Sequence, residues 1–379
     1  MKRVLFVTNG HGEVAIAAAL AQRLVETAAV ACDHLALVGN FEHPSVMRDV
    51  GPRRRMPSGG LLAMGNVRNI VRDVRAGLLL HTLGQVRFLR GARGTYAAAV
   101  AVGDVFALIM ALLAGTRTAF VGTAKSVYVA PYGPIEERII RRAQPVYVRD
   151  EPTAQRLREH GIDARAGNVI VDLYAPQQAA WPEGSPRLAL FPGSREDAYD
   201  DAAFLCAVVR ALLERRPNLS AQISIAPGLH EDRFIPGLRL QGWRVDETGD
   251  PREPFRLFNG DREVVRALRG AAGAVLAGAD AVMGQAGTAN EAAAAAGIPV
   301  VAFAQRDRSR HSWYRRRQAG LLGDALLVIE GDAQSAARQV DDLLSDESRR
   351  RNMGEIGRQR MGAPGAASRI AQDIAGLIA

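Results

Sequence analysis

Cysteine is nearly missing from this chain: 379 residues hold two, Cys32 and Cys206, far apart and without the spacing of a disulfide framework or a zinc site. That usage fits a reducing compartment. Lysine is equally scarce. Only Lys2 and Lys125 stand among 48 basic residues, so the net charge of +8 is carried by arginine. Such a skew reads as compositional bias, and it weakens the charge as an argument for polyanionic partners. There is also no basic stripe interleaved with aromatics, so no nucleic-acid partner is expected. A P-loop needs G-x-x-x-x-G-K-[ST], and neither lysine stands in one, which excludes that class of NTPase. Long apolar runs are lacking too. The best candidate, residues 95–115, is interrupted by Gly103-Asp104. A carboxylate at mid-membrane costs about 2.5–3.5 kcal/mol on insertion scales, so the run is read as strand, turn and helix. Met1-Lys2-Arg3 passes straight into an apolar run with no h-region or small-residue cleavage site, so no signal peptide is expected.

What is present is ordinary globular composition, 48% hydrophobic and 23% charged with 38 glycines and 18 prolines, at a length that suits two domains. Short apolar runs alternate with helical periodicity. Strands are expected at 4–7, 34–38, 97–102, 118–121 and 146–149, with helices at 14–25, 106–113, 134–142 and 151–160. A polar, Pro-rich stretch at 176–186 follows, and the alternation then restarts. Strands are expected at 187–191, 221–226, 281–284 and 299–303, with helices at 200–215 and 288–296. Alternating β and α implies parallel, doubly wound sheets, so the fold class is α/β with two Rossmann-like domains. The expected division is 1–170, 171–345, and C-terminal helices at 346–379 that cross back to the first domain.

Residues 53–93 break the alternation. Arg68, Arg72, Arg75, Arg87 and Arg90 recur at helical spacing opposite Val67, Ile70, Val71, Val74, Leu78 and Leu79. Two readings stand: a surface helix pair covering the sheet, or an Arg-faced helical insertion resting on an anionic bilayer.

Three glycine loops fall at strand-to-helix junctions, where unpaired backbone N–H groups and the helix dipole favour anions. The first is Asn9-Gly10-His11-Gly12-Glu13, which lacks the third glycine and the later acidic residue of a dinucleotide fingerprint. The second is Phe191-Pro192-Gly193-Ser194-Arg195, where Arg195 offers a fork suited to a diphosphate and Ser194 a hydroxyl. An ordinary βα turn with a surface arginine looks the same. The third runs Gly284-Gln285-Ala286-Gly287-Thr288-Ala289-Asn290-Glu291. Here Thr288 is read as the helix cap and Glu291 as the acceptor for a ribose diol, although the pair equally fits a plain capping box.

Taken together, FPGSR, GQAGTANEAAAAAGIPVVAF, GHGE and AVGD, in that placement, resemble the two-domain GT-B glycosyltransferases, and within them lipid-A-disaccharide synthase and its relatives. The likeness runs from residue 3 to about 360 and is weakest at 53–93 and 308–324. It implies a UDP-sugar donor in the second domain, a lipid or glycolipid acceptor in the first, transfer in a cleft between them, and no cofactor. Gly193, Ser194 and Arg195 match the family's donor loop; Gly287, Thr288, Ala289 and Glu291 match its diphosphate and ribose contacts. Gln285 stands where many relatives have serine. Glu13 matches the acidic residue of the first glycine loop, beside Gly10 and Gly12, and Asp104 matches the family's essential aspartate. Val14 follows Glu13 where a further acid is usual, and the Pro-Asp pair of the synthase is missing before Asp104, so the acceptor is expected to differ from the synthase's.

The expected chemistry is inverting, metal-independent transfer, with Asp104 as the first choice of base, then Glu13, and His11 as a further candidate. For Asp104 a helix N-cap is the competing reading. No D-x-D pair is placed for metal catalysis; Asp150-Glu151 and Asp341-Asp342 read as caps or solvated faces. A UDP-N-acetylglucosamine 2-epimerase-like enzyme and a non-catalytic sugar-nucleotide binder are the alternatives. The expected location is the cytoplasm, with peripheral contact at the inner face of the cytoplasmic membrane.

Overall fold

The first apolar run forms β1 (Lys2–Thr8), whose central residues Val4 to Val7 are wholly buried, as the middle strand of a parallel sheet covered on both faces requires. In the computed structural model, residues 1–39, 45–54, 74–75, 77–174, 178, 180–285, 287–304 and 310–378 are described, without the side chains of His11 and 310–314. Around β1 lie β2 (Val30–Ala36), β3 (Met47–Asp49), β4 (Ala98–Gly103), β5 (Arg117–Gly122), β6 (Val146–Val148) and β7 (Ala164–Ala166). Their order is β3-β2-β1-β4-β5-β6-β7, parallel at every pairing. Chain order therefore reverses between β1 and β4.

β2 lies upstream of its expected place at 34–38 because two of its buried residues are polar. Asp33 accepts from Arg3 (3.1 Å), Arg48 (3.1 Å) and Tyr96 (3.1 Å), and His34 sits between Thr8 (2.9 Å) and Asp49 (3.0 Å). Hydropathy does not register a buried residue whose polarity is paired.

The second sheet contains β8 (Arg187–Phe191), β9 (Ser220–Ile225), β10 (Arg244–Asp250), β11 (Glu253–Asn259), β12 (Arg262–Arg269), β13 (Ala281–Gly284), β14 (Val300–Ala304) and β15 (Leu326–Glu330). The order is β10-β11-β12-β9-β8-β13-β14-β15, so the reversal falls between β8 and β13. β10, β11 and β12 form an antiparallel meander, which corrects the expectation of an all-parallel sheet. Their Arg- and Glu-rich outer faces hide the strand period, and the same charges guard the exposed edge.

The chain divides into two compact units, Met1–Leu173 with Gly362–Ala379, and Tyr174–Met361. Helix Glu347–Met361 belongs to the second. It seats against helix Gly287–Ala296 through Gly354 and Gly357, where a Cβ would run into the carbonyls of Gly297 and Ala294. Helix Ala366–Ile378 belongs to the first unit. Asp172 caps its start, accepting from the N–H groups of Gly365 (2.6 Å) and Ala367 (2.7 Å). Among the described residues no helix is long and apolar enough to cross a membrane.

The insertion is described only in part; Val67, Arg68, Ile70, Val71 and Arg72 lie outside the described residues. Helix Leu78–Gly91 turns His81, Gln85 and Leu89 inward. His81 bonds the carbonyl of Leu37 (3.1 Å), and Gln85 donates to those of Ala36 (3.1 Å) and Pro52 (3.1 Å). Leu79 and Leu80 are 67% and 76% exposed, on the same side as Arg87 and Arg90. Leu79 therefore does not lie opposite the arginines: the polar residues His81 and Gln85 take the inward face, because strand-end carbonyls there need donors.

Candidate functional site

In open α/β sheets, loops at the carboxyl ends of the strands flanking the reversal of strand order form the binding crevice. In the first unit those strands are β1 and β4, ending at Thr8 and Gly103. In the second they are β8 and β13, ending at Phe191 and Gly284. All three glycine loops read from the sequence leave from these ends, as does Asp104.

At the first edge, Gly10 is the extended N-cap of helix His11–Thr27, with no side-chain cap bond, and Glu13 lies in the first turn. A Cβ at Gly10 would stand 2.6 Å from Glu13 Oε2, and one at Gly103 would stand 3.2 Å from Glu13 Cγ, so both glycines make room for this side chain. Gly103 also has φ of +131°, which favours glycine. Burial pushes the Glu13 carboxyl above the ordinary glutamate range; a bond from its own backbone N–H opposes this, the Asp104 charge adds to it and Arg149 offsets part. Gly12 has open space where a Cβ would stand. The side chain of His11 is outside the described residues.

Asp104 is the N-cap of helix Val105–Leu112, accepting from Ala107 N–H (3.0 Å) through Oδ1, while Oδ2 accepts from Asn9 Nδ2 (2.8 Å). Asn9 thus joins the two loops. Further round, the buried Tyr132 hydroxyl is pushed up by burial first, with the charges of Glu136 and Asp104 adding to it. Glu136 accepts from Lys125 Nζ (2.6 Å) and Gly133 N–H (2.8 Å), and Asp150 from Thr153 N–H (2.9 Å) as the cap of its helix. Arg149 donates to the Thr123 carbonyl (3.1 Å). Asn9, Tyr132, Glu136 and Arg149 were not singled out from the sequence as site residues. Asn9 and Arg149 had one signal, each directly following an apolar strand.

At the second edge, Gln285 N–H donates to Phe191 O (2.9 Å) and binds the two loops together. Gly193 has φ of +119°, and a Cβ there would meet nothing within 4 Å, so its backbone alone calls for glycine and leaves space beside it. Ser194 and Arg195 are exposed. Glu196, next along, pairs with Arg233 (3.1 Å), whose guanidinium lies 4.1 Å from the Tyr199 ring centre. The Gln285 amide is engaged at both ends by the backbone of Phe303, through its Nε2 (2.9 Å) and Oε1 (3.4 Å). Its evident work is to fix β14 beside the loop.

Helix Gly287–Ala296 begins one residue earlier than expected, so Thr288 lies inside the first turn and is not its cap. Its Oγ1 instead meets Tyr174 Oη at 2.9 Å. Gly287, Thr288 and Ala289 bring first-turn N–H groups to this edge. Ala289 and Glu291 are buried. Asn290, wholly buried, donates to Gly284 O (3.1 Å) and Gln318 Oε1 (3.0 Å), and Gln318 Nε2 donates to Gly287 O (3.0 Å). Tyr174 and Gln318 escaped the sequence reading, since their partners are distant in the chain, and Asn290 stood in the third glycine loop without a role. Among the described residues no three His, Cys, Asp or Glu side chains gather as a metal site would.

No protein-family model matches the chain, and no curated protein matches it in sequence. Solved structures do match in fold. A chain described as a UDP-N-acetylglucosamine 2-epimerase, from Listeria monocytogenes, aligns with TM-score 0.60 at 15% identity, covering 99% of this chain and 96% of that one. CalG4, the calicheamicin glycosyltransferase, aligns with TM-score 0.57 at 16% identity, covering 100% and 98%. The UDP-GlcNAc 2-epimerase of Neisseria meningitidis, bound to UDP-GlcNAc, aligns with TM-score 0.54 at 13% identity, covering 98% and 99%. The chain has the two-domain GT-B fold, two Rossmann-like α/β units in succession.

Proposed function

We propose that this protein is a glycosyltransferase that moves a sugar of the N-acetylglucosamine type from a UDP-sugar to a lipid-linked or glycolipid acceptor, with inversion and without a metal. The observation that carries the reading is the presence of two unlike edges, one in each unit. One gathers a glycine loop, Arg195 and the start of helix Gly287–Ala296, which suit a diphosphate. The other holds a half-buried carboxyl of raised pKa, which suits a base. Fold neighbours that include a glycosyltransferase and a UDP-GlcNAc-bound enzyme support the donor class.

In this reading Gly193 lets the backbone approach the donor, Ser194 and Arg195 meet the diphosphate, and Glu291 accepts from the ribose. The acceptor oxygen attacks the anomeric carbon, the bond from that carbon to the β-phosphate oxygen breaks, and UDP leaves with the bonding pair. Glu13 takes the acceptor's proton. Both Asp104 oxygens already accept hydrogen bonds, so Asp104 holds Asn9 and the helix start in place while Glu13 acts; this reverses the order of choice made from sequence. His11 stays the alternative base.

A lipid acceptor is supported by the outward leucines Leu79, Leu80 and Leu83 of helix Leu78–Gly91, with Arg87 and Arg90 beside them. Phe106 and Ile109, on the helix that Asp104 caps, are also 41% and 40% exposed. In this reading the protein works at the inner face of the cytoplasmic membrane.

An epimerase-like reaction has one specific observation in its favour. Asp104, Glu136 and Asp150 bear electrostatically on Tyr132, Glu13 lies close enough to Asp104 for their charges to interact, and epimerisation needs several acid–base groups. Two assays separate the readings. Titration calorimetry should show UDP binding that Arg195→Ala weakens; no uridine nucleotide binding would remove the donor site. Labelled UDP-N-acetylglucosamine is then incubated with and without membrane lipid extract. Label entering lipid only with extract supports transfer, an epimerised UDP-sugar formed without extract supports the second reading, and neither supports a non-catalytic binder.

A further inference from the structure

Tyr174 opens the second unit, and its hydroxyl lies 2.9 Å from Thr288 Oγ1 in the first turn of helix Gly287–Ala296. The direction of that bond has a consequence for any anion held there. A threonine hydroxyl has one proton to give and two lone pairs. Were the proton given to Tyr174, Thr288 would turn only lone pairs toward phosphate oxygens, which themselves only accept. A Thr288 that binds phosphate must therefore receive from Tyr174 and donate outward. Tyr174 suits the donor's part. Burial pushes its phenol above the ordinary range, the bond with Thr288 offsets part of this and the Glu291 carboxylate nearby adds to the rise, so the O–H stays protonated.

We propose that Tyr174 is a positioning residue for the sugar-nucleotide donor, its O–H donating to Thr288 Oγ1 and turning the threonine proton toward the diphosphate. The assignment rests on the nucleotide reading above. Donors then run in series from Tyr174 through Thr288 to the phosphate, each polarising the next. The pair also ties the residue that opens the second unit to the loop that holds the charge.

The test is calorimetric titration of the full-length protein with UDP and with uridine, which lacks the phosphates, for wild type, Tyr174→Phe, Thr288→Val and the double variant. Tyr174→Phe keeps the ring, and Thr288→Val keeps the branched shape, so the two substitutions probe opposite ends of the bond with the packing retained. Each single variant should weaken UDP binding roughly three- to tenfold, the scale of one hydrogen bond. Uridine binding should not change, and the double variant should be no weaker than the weaker single one. Unchanged UDP affinity in Tyr174→Phe, an equal loss for uridine, or losses that multiply in the double variant would each overturn the assignment alone. A wild-type protein that binds no UDP would instead overturn the nucleotide reading, and this assignment with it.

Discussion

Glu13 is a carboxyl lodged over two glycines, and its raised pKa and its cost to stability share one origin. Because its pKa in the folded protein lies above the unfolded value, its contribution to stability is full below the unfolded pKa of about 4.3 and is lost as pH rises through the folded pKa. Glu13→Gln, a neutral isostere, should therefore melt like wild type near pH 3.5 and later than wild type at pH 8. In the labelled-donor assay it should lose about a hundredfold or more of its rate. Asp104→Asn, which keeps a capping side chain, should stay within about 0.5 kcal/mol of wild-type stability by urea unfolding. A second expectation concerns the thiols: burial pushes Cys32 and Cys206 up to about 12 each, so a thiol reagent at pH 8 should label neither until the chain is unfolded. At this scale the glycines were legible because their need is local. The surroundings of Glu13 and Asp104 were not, since they depend on what lies over each carboxyl.

Elements tell a similar story with different causes. The apolar runs of β1, β4, β5, β8 and β13 stand out in the sequence because a parallel strand is buried on both faces. The meander from Arg244 to Arg269 and the short, half-exposed strands β3 and β7 do not, because charged or exposed positions break the apolar pattern. Helix Glu347–Met361 illustrates what period alone conceals. Its Gly354 and Gly357 read as weak points, yet they permit a close approach to helix Gly287–Ala296. Alanine at either position should destabilise the second unit by about 1–3 kcal/mol in urea unfolding, with UDP affinity falling as the helix shifts. A control at a similar residue with space, Gly376→Ala, should be neutral or stabilising, since no atom lies within 4 Å of its Cβ.

For the whole molecule, the strongest expectation concerns the outward leucines. Leu80→Glu with Leu83→Glu should abolish co-sedimentation with anionic phospholipid vesicles and leave UDP binding as in wild type; retained vesicle binding would count against the membrane-facing surface. The residue order by itself determined the local grammar: where strands and helices alternate, where glycine must break them, that no lysine serves a P-loop, and that a break falls near 175. These are matters of backbone freedom and of burial along one element, so neighbours in sequence suffice to set them. Only the tertiary structure decided which loops share an edge. Phe191 and Gly284 become adjacent because β8 and β13 pair, and Asn9 reaches Asp104 because β1 and β4 do. Those pairings are chosen by burying both faces of a sheet at once, a condition on the whole chain that no single segment carries.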